Sequence, residues 1–426
     1  MLAKITPLRS RGITLGAMKI FSMAILLSSN FALAYVLPKE EVGFFFYASG
    51  VIAIIGALST FGITILPVRF ASAYWDENKS SSLRGLVAFT FAGSAFSSIA
   101  VAALVFAWSL VGSSAASTDS FTSARLTIIL CIVTSNFQGL LLSYGRSLEW
   151  HGTSQFVELI AKPLALVSAI ALLWMNQIDK RATSVLAIQF GAIASACVLQ
   201  AAILFWHARS KLSESRALCF HREWLSYCGA GFVQSFVGSC AINIEIFVLG
   251  IIATGSDTAT FGLAYRATSG LSFFRNIGGI IAAPRYLRLA RTSANAQAYV
   301  LTGIKHIFFP TLLCAVILVA AAVVFSSYLP VNYDELTYAL LVLALAPVVR
   351  AAIGNIDTIV SLVLRPWAYG VIGMIYYPVY ACALALTYHT WGLTGALWIP
   401  VLGSTTLAAI GIWLYVTRAE GQAKPA

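Results

Sequence analysis

Apolar stretches of about 20 residues, the length of helix that crosses a hydrocarbon core, recur along the whole chain. Twelve are read from the pattern, at residues 12–36, 42–70, 84–111, 124–145, 155–174, 182–206, 224–253, 259–283, 300–328, 336–364, 367–387 and 392–416. The breaks between them are short, which leaves no room for an extramembrane domain. Glycines recur inside the runs, as at Gly12 and Gly16, Gly229 and Gly231, and Gly392 and Gly395, where small residues let helices approach closely in lipid. Pro67, Pro163, Pro310, Pro347 and Pro378 fall in or near runs and are expected to kink them.

Composition agrees with the pattern. The 426 residues are 59% hydrophobic and 10% charged, whereas soluble domains are nearer to about a quarter charged. One soluble core of this size could not hide so much apolar surface, so lipid is the solvent for most of the chain. The N-terminal Lys4, Arg9 and Arg11, an apolar run and Ala32-Leu33-Ala34 imitate a cleavable signal. Lys19 inside the run, and the regular series of spans that cleavage would break, point to a retained first span. The cysteines number 7 with no CxxC pair, and most sit inside spans as small apolar residues. Neither a disulfide nor a metal site is expected.

The net charge of +11 reads as topology rather than as nucleic-acid binding. Of the 27 Lys and Arg, the loops expected outside hold Lys39, Arg125, Lys180 and Arg181. The spans hold Lys19, Lys162, Arg266, Arg275, Lys305 and Arg350. That leaves 17 on the side of the N-terminus. Cytoplasmic segments retain basic residues, so both termini are expected inside.

The longest charged connection, residues 207–223, divides the spans six and six. The expected organisation is a bundle at 1–206, a cytoplasmic connection at 207–223 and a second bundle at 224–426. The halves share a weak pattern. Gly43, Tyr47-Ala48, Pro67 and Arg69 in one answer Gly262, Tyr265, Ala267, Pro284 and Arg285 in the other. Parallel repeats of equal helix number are a common transporter plan.

Tyr35-Val36-Leu37-Pro38-Lys39-Glu40-Glu41-Val42-Gly43, followed by a long span and Leu58-Ser59-Thr60-Phe61-Gly62-Ile63, resembles the start of the Wzx-type polysaccharide and O-antigen flippases. These belong to the multidrug/oligosaccharidyl-lipid/polysaccharide exporter superfamily. Pro38, Glu41, Gly43 and Gly62 fit the family pattern. Residues 243–250 and 261–267 resemble its seventh and eighth helices, with Glu245 where an aspartate is usual. The resemblance implies an all-α, MATE-like fold of two six-helix bundles in the inner membrane. It implies movement of a polyprenyl-diphosphate-linked oligosaccharide to the outer leaflet for surface polysaccharide, with polysaccharide polymerase and export machinery as partners.

Ionisable groups at bilayer depth need a partner or a purpose. Lys19 and Asn30 are eleven apart and share a face flanked by Ser22 and Ser29, which suits a cavity wall, although Lys19 can also snorkel to the interface. Glu158 and Lys162 can pair four residues apart. Gln189 and Gln200 share a face and suit either sugar hydroxyls or neighbouring helices. Glu245 has no basic residue within a turn of it, which makes it a candidate for proton or sodium coupling or for an ion pair with Arg266 or Arg275. Arg266 and Arg275, nine apart, point to opposite faces of a regular helix unless Gly270 or Gly278-Gly279 breaks it. Arg350 and Asp357, seven apart, nearly eclipse each other, and Lys305 snorkels. The candidate substrate cavity is therefore Lys19, Asn30, Arg266, Arg275 and Arg350, with Glu245 and Asp357 for the ion and no cofactor beyond H+ or Na+.

Basic residues outnumber acids within the spans, which favours an anionic substrate such as a diphosphate that Arg engages bidentately. A multidrug or cation antiporter of the same superfamily is the alternative, and a membrane-embedded polymerase a more distant one. The chain has no GxxxxGK[ST], HExxH or GxSxG, so familiar hydrolase chemistry is unsupported.

Overall fold

The structure, a computed structural model, describes residues 5–111, 118–148, 160–176, 180–213, 219–275, 296–326, 333, 335–354, 356, 360 and 366–422, with backbone alone for residues 5–20 and at some other helical positions. In lipid each backbone polar group must be satisfied within its own segment, and the described chain accordingly forms helices. They are α1 (Ile5–Val36), α2 (Lys39–Ser59), α3 (Ser72–Asp76), α4 (Ser80–Val111), α5 (Thr118–Ser147), α6 (Lys162–Asn176), α7 (Ala182–Ser213), α8 (Glu223–Ile252), α9 (Gly255–Ser269), α10 (Ala296–Ser326), α11 (Leu336–Ala352) and α12 (Pro366–Gln422).

Among the described residues, 7 helices are long and apolar enough to cross a membrane, and Phe21–Val36, Lys162–Met175 and Leu336–Ala352 are shorter apolar ones. Gly392, at φ 62°, breaks α12 into the two spans expected there. With α9 as the described part of the eighth span, a helix stands at each predicted place. Large apolar side chains such as Phe96, Leu104, Leu126, Trp174 and Val198 are exposed on the helix surfaces. Such outward-facing surface is tolerable only when the surroundings are apolar. The chain is a multi-pass membrane protein.

Two compact units divide it, Met1–Asn243 and Ile244–Ala426. The division falls inside α8, so the first part of that helix packs with the first unit.

In the first unit, Glu41 in the opening turn of α2 accepts a hydrogen bond from the Ala182 backbone N–H at 2.7 Å. This supplies one of the acceptors that the N-terminus of α7 lacks. The family-like glutamate thus has a structural task, fixing two helix ends at one level. At its other end α2 stops at Ser59 with two successive left-handed residues, Phe61 (φ 44°) and Gly62 (φ 71°). The second span is therefore interrupted rather than continuous to residue 70. The interruption lets Gly62 meet α8 backbone to backbone, since a Cβ there would lie 2.1 Å from the Cys228 carbonyl oxygen. A single π-turn, Pro67–Ala71, follows. Trp224, fully buried, packs there with Leu66, Leu83, Leu86, Leu140 and Tyr144.

The middle of the first unit is polar. Asn136 Nδ2 donates to Ser59 Oγ at 2.5 Å and to Ser98 Oγ at 2.9 Å. These bonds tie α2, α4 and α5 together in a medium without competing water.

In the second unit α11 packs against α9, α10 and α12. It ends at Ala352, and Gly354 turns left-handed (φ 60°) against Ile304. The helical spacing that would eclipse Arg350 and Asp357 therefore does not continue between them. Asp357 lies outside the described residues, as do Glu158 and residues 276–295.

Candidate ion and substrate site

The site in the second unit is assembled from four helices. The last turns of α8 carry Glu245, α9 carries Tyr265 and Arg266, α11 carries Arg350, and the first half of α12 carries Tyr376, Tyr377 and Tyr380. Glu245 is 7% exposed. Tyr380 Oη donates to its Oε1 at 2.9 Å. Its Oε2 has no hydrogen-bond partner. The Tyr265 hydroxyl lies close to the same carboxylate, and the Arg350 guanidinium acts on it electrostatically.

The tyrosines are held in turn. Phe261 stacks on Tyr265 with ring centres 5.8 Å apart, and Tyr376 stacks on Tyr380 at 5.6 Å. Tyr376 Oη donates to the Gly403 carbonyl at 3.0 Å. Gly403 lacks the Cβ that would lie 2.4 Å from the Tyr380 ring. The second half of α12 therefore sets the ring positions, and the rings set the hydroxyl that meets the carboxylate.

A carboxylate among phenolic oxygens offers hard oxygen ligands suited to a proton or a small hard cation. Burying it is costly unless something compensates its charge. The Tyr380 hydrogen bond and the field of Arg350 offset part of that cost, and a bound proton or cation would do so by a different route. Among the described residues no group of three or more His, Cys, Asp or Glu is placed to hold a metal ion.

The predicted residues are placed unevenly. Arg350 acts electrostatically on Glu245, for which the sequence offers Arg266 or Arg275 as a partner on another helix, while helical spacing pairs Arg350 with Asp357. Arg266 is half-buried beside Tyr265 in the chain. A 3-10 turn at Gly270–Ser272 follows α9, as Gly270 allowed. Three residues at about 120° instead of about 100° rotate Arg275 by roughly 60° from the position opposite Arg266. Arg275 is half-buried. In the first unit Asn30 is buried with Ser22 and Ser29. Lys19 lies on the same unbroken α1, and its side chain lies outside the described residues. Tyr265 and Tyr380 were missed by reasoning from charge. The signal available was the run Tyr376-Tyr377-Pro378-Val379-Tyr380, polar edges gathered inside an apolar span.

The architecture has known counterparts. One is a multidrug resistance MATE family transporter of the MOP superfamily in an inward-facing conformation, with TM-score 0.69, 13% identity, and 95% of this chain and 96% of that chain covered. An outward-facing conformation of such a transporter gives TM-score 0.59 at 13% identity over 97% and 96%. The fold is MATE-like. The lipid II flippase MurJ, in an inward closed conformation, matches with TM-score 0.69 and 12% identity over 96% of this chain and 87% of that chain. No family model matches the sequence, and no curated protein matches it. The MATE-like fold thus hosts both drug transporters and a flippase, and the counterparts are transport proteins rather than enzymes.

Proposed function

We propose that the chain is a flippase that moves a polyprenyl-diphosphate-linked oligosaccharide across the inner membrane for surface polysaccharide biosynthesis, with both termini cytoplasmic. The observation that carries this reading is the Glu245 site, where one buried carboxylate meets the Tyr265 and Tyr380 hydroxyls and feels the charge of Arg350. Support comes from the Wzx-like residues Pro38, Glu41, Gly43 and Gly62, and from the fold shared with a lipid II flippase.

The coupling follows from charge. While Glu245 is ionised, it attracts Arg350. A proton or Na+ on Glu245 weakens that attraction and leaves the guanidinium able to engage an anionic head group, for which its planar fork is suited. Lys19, Asn30, Arg266 and Arg275 serve as the further substrate contacts. The isoprenoid tail stays in lipid while the head group passes.

The test uses purified protein in proteoliposomes with a fluorescent lipid-linked oligosaccharide. Flipping is expected to accelerate under a proton or sodium gradient and to lose that acceleration in Glu245→Gln, which keeps shape and removes charge. Arg275→Ala is expected to cut surface polysaccharide while the protein still inserts. The drug-exporter likeness supports a second reading, multidrug export. Gradient-driven efflux of a cationic dye with no flipping of the lipid-linked sugar would select it.

A further inference from the structure

Two amides in the first unit have no explanation in its packing. Gln138 is 4% exposed and Gln200 is 3% exposed. Gln138 Oε1 and both Gln200 Oε1 and Nε2 are buried without a hydrogen-bond partner. An unmet polar group in a dry interior is costly, which points to a partner outside the chain.

Their placement narrows what that partner is. The Glu41 to Ala182 bond sets α2 and α7 level at one end. Ser59 and Gln200 each lie 18 residues beyond that contact, about 27 Å along their helices at 1.5 Å per residue. Ser59 is bonded to Asn136, two residues before Gln138 on α5. Ser59, Ser98, Asn136, Gln138 and Gln200 therefore form one polar layer across α2, α4, α5 and α7. Along the α5–α7 seam, Leu141 packs against Cys197 and Leu204. Gln138 precedes Leu141 by one turn, and Gln200 lies between Cys197 and Leu204 on the packed face. Both amides therefore fall on helix faces that flank the packed α5–α7 seam.

We propose that this seam is a hydration site, holding ordered water between Gln138 and Gln200. The unmet atoms fit water. A water molecule donates to the two carbonyl-type oxygens and accepts from the amide N–H, and buried waters make about 3 such bonds. The site is separate from the Glu245 site and does not depend on the proposed transport reading.

Radiolytic hydroxyl-radical labelling of the full chain in nanodiscs tests this, because radicals formed from bound water mark the side chains beside it. Labelling at Leu141, Cys197 and Leu204 is expected to exceed by several-fold that at Leu173, which is fully buried in α6, with Cys131 as the control for thiol reactivity. Gln200→Leu is expected to abolish the excess. Gln138→Leu, expected to reduce it, serves if the first variant does not insert. Labelling of Leu141 and Leu204 no higher than that of Leu173 overturns the proposal. So does an excess that persists in the variants, since the amides would then not be holding the water.

Discussion

The meeting of Gly62 with α8 gives the sharpest test of how this fold is held. Gly62→Ala places a Cβ 2.1 Å from the Cys228 carbonyl oxygen and 2.3 Å from the Phe232 nitrogen. Both are backbone atoms, which cannot rotate aside as a side chain would. The residue is also left-handed, at φ 71°, where a Cβ costs roughly 1–2 kcal/mol. Overpacking adds about 1–3 kcal/mol. The expected loss is therefore about 2–5 kcal/mol from the two effects together. The measurement is equilibrium unfolding of the full chain in mixed micelles, followed by circular dichroism. Gly139→Ala is the control: its Cβ would meet only Thr64 Cγ2, at an ordinary 3.7 Å. Removing a helical glycine there is expected to be neutral or to stabilise by up to about 1 kcal/mol. Should Gly62→Ala prove as stable as Gly139→Ala, the close backbone approach and its strain are wrong.

Three further outcomes are expected. Glu41→Ala removes the acceptor for the Ala182 N–H and is expected to cost about 1–2 kcal/mol in the same unfolding assay, with Glu41→Gln recovering much of it because an amide oxygen still accepts. Asn136→Leu severs the bonds to Ser59 and Ser98; at roughly 0.6 kcal/mol for each interhelical bond in a membrane, about 1 kcal/mol is expected, and no change would mean that neither bond contributes. Tyr380→Phe removes the hydrogen bond to the Glu245 carboxylate, expected to cost about 1.5–3 kcal/mol in stability and to alter the gradient dependence of flipping, whereas unchanged unfolding and transport together would detach Tyr380 from the site.

Several features of the site were legible before any fold was known. Glu245 was marked as costly by its depth alone, and Gly270 as a place where the eighth span could change course. Gly62 was recognisable as part of a signature, but the reason for it was not. That reason is the α8 backbone at Cys228 and Phe232, more than 160 residues away in the chain. Arg350 and Asp357 eclipse only if α11 runs on, and it stops at Ala352. Spacing rules describe one regular helix and carry nothing across a left-handed glycine. Charge alone does not point to the tyrosines, because a buried carboxylate is also stabilised by neutral hydroxyl donors.

The sequence by itself determined that this is a helical membrane protein, where along the chain its apolar spans lie, and which charged groups fall within them. Transfer to lipid is a nearly additive property of each residue, and the helix satisfies its own backbone locally, so both can be read along a line. Only the tertiary structure decided which polar groups meet. Tyr380 reaches Glu245 across 135 positions of chain, Glu41 reaches Ala182 across 141, and Gln138 and Gln200 are left facing an unmet need. Hydrogen bonds act over about 3 Å and depend on direction, so their partners are chosen by how whole helices pack, which no local stretch of sequence records.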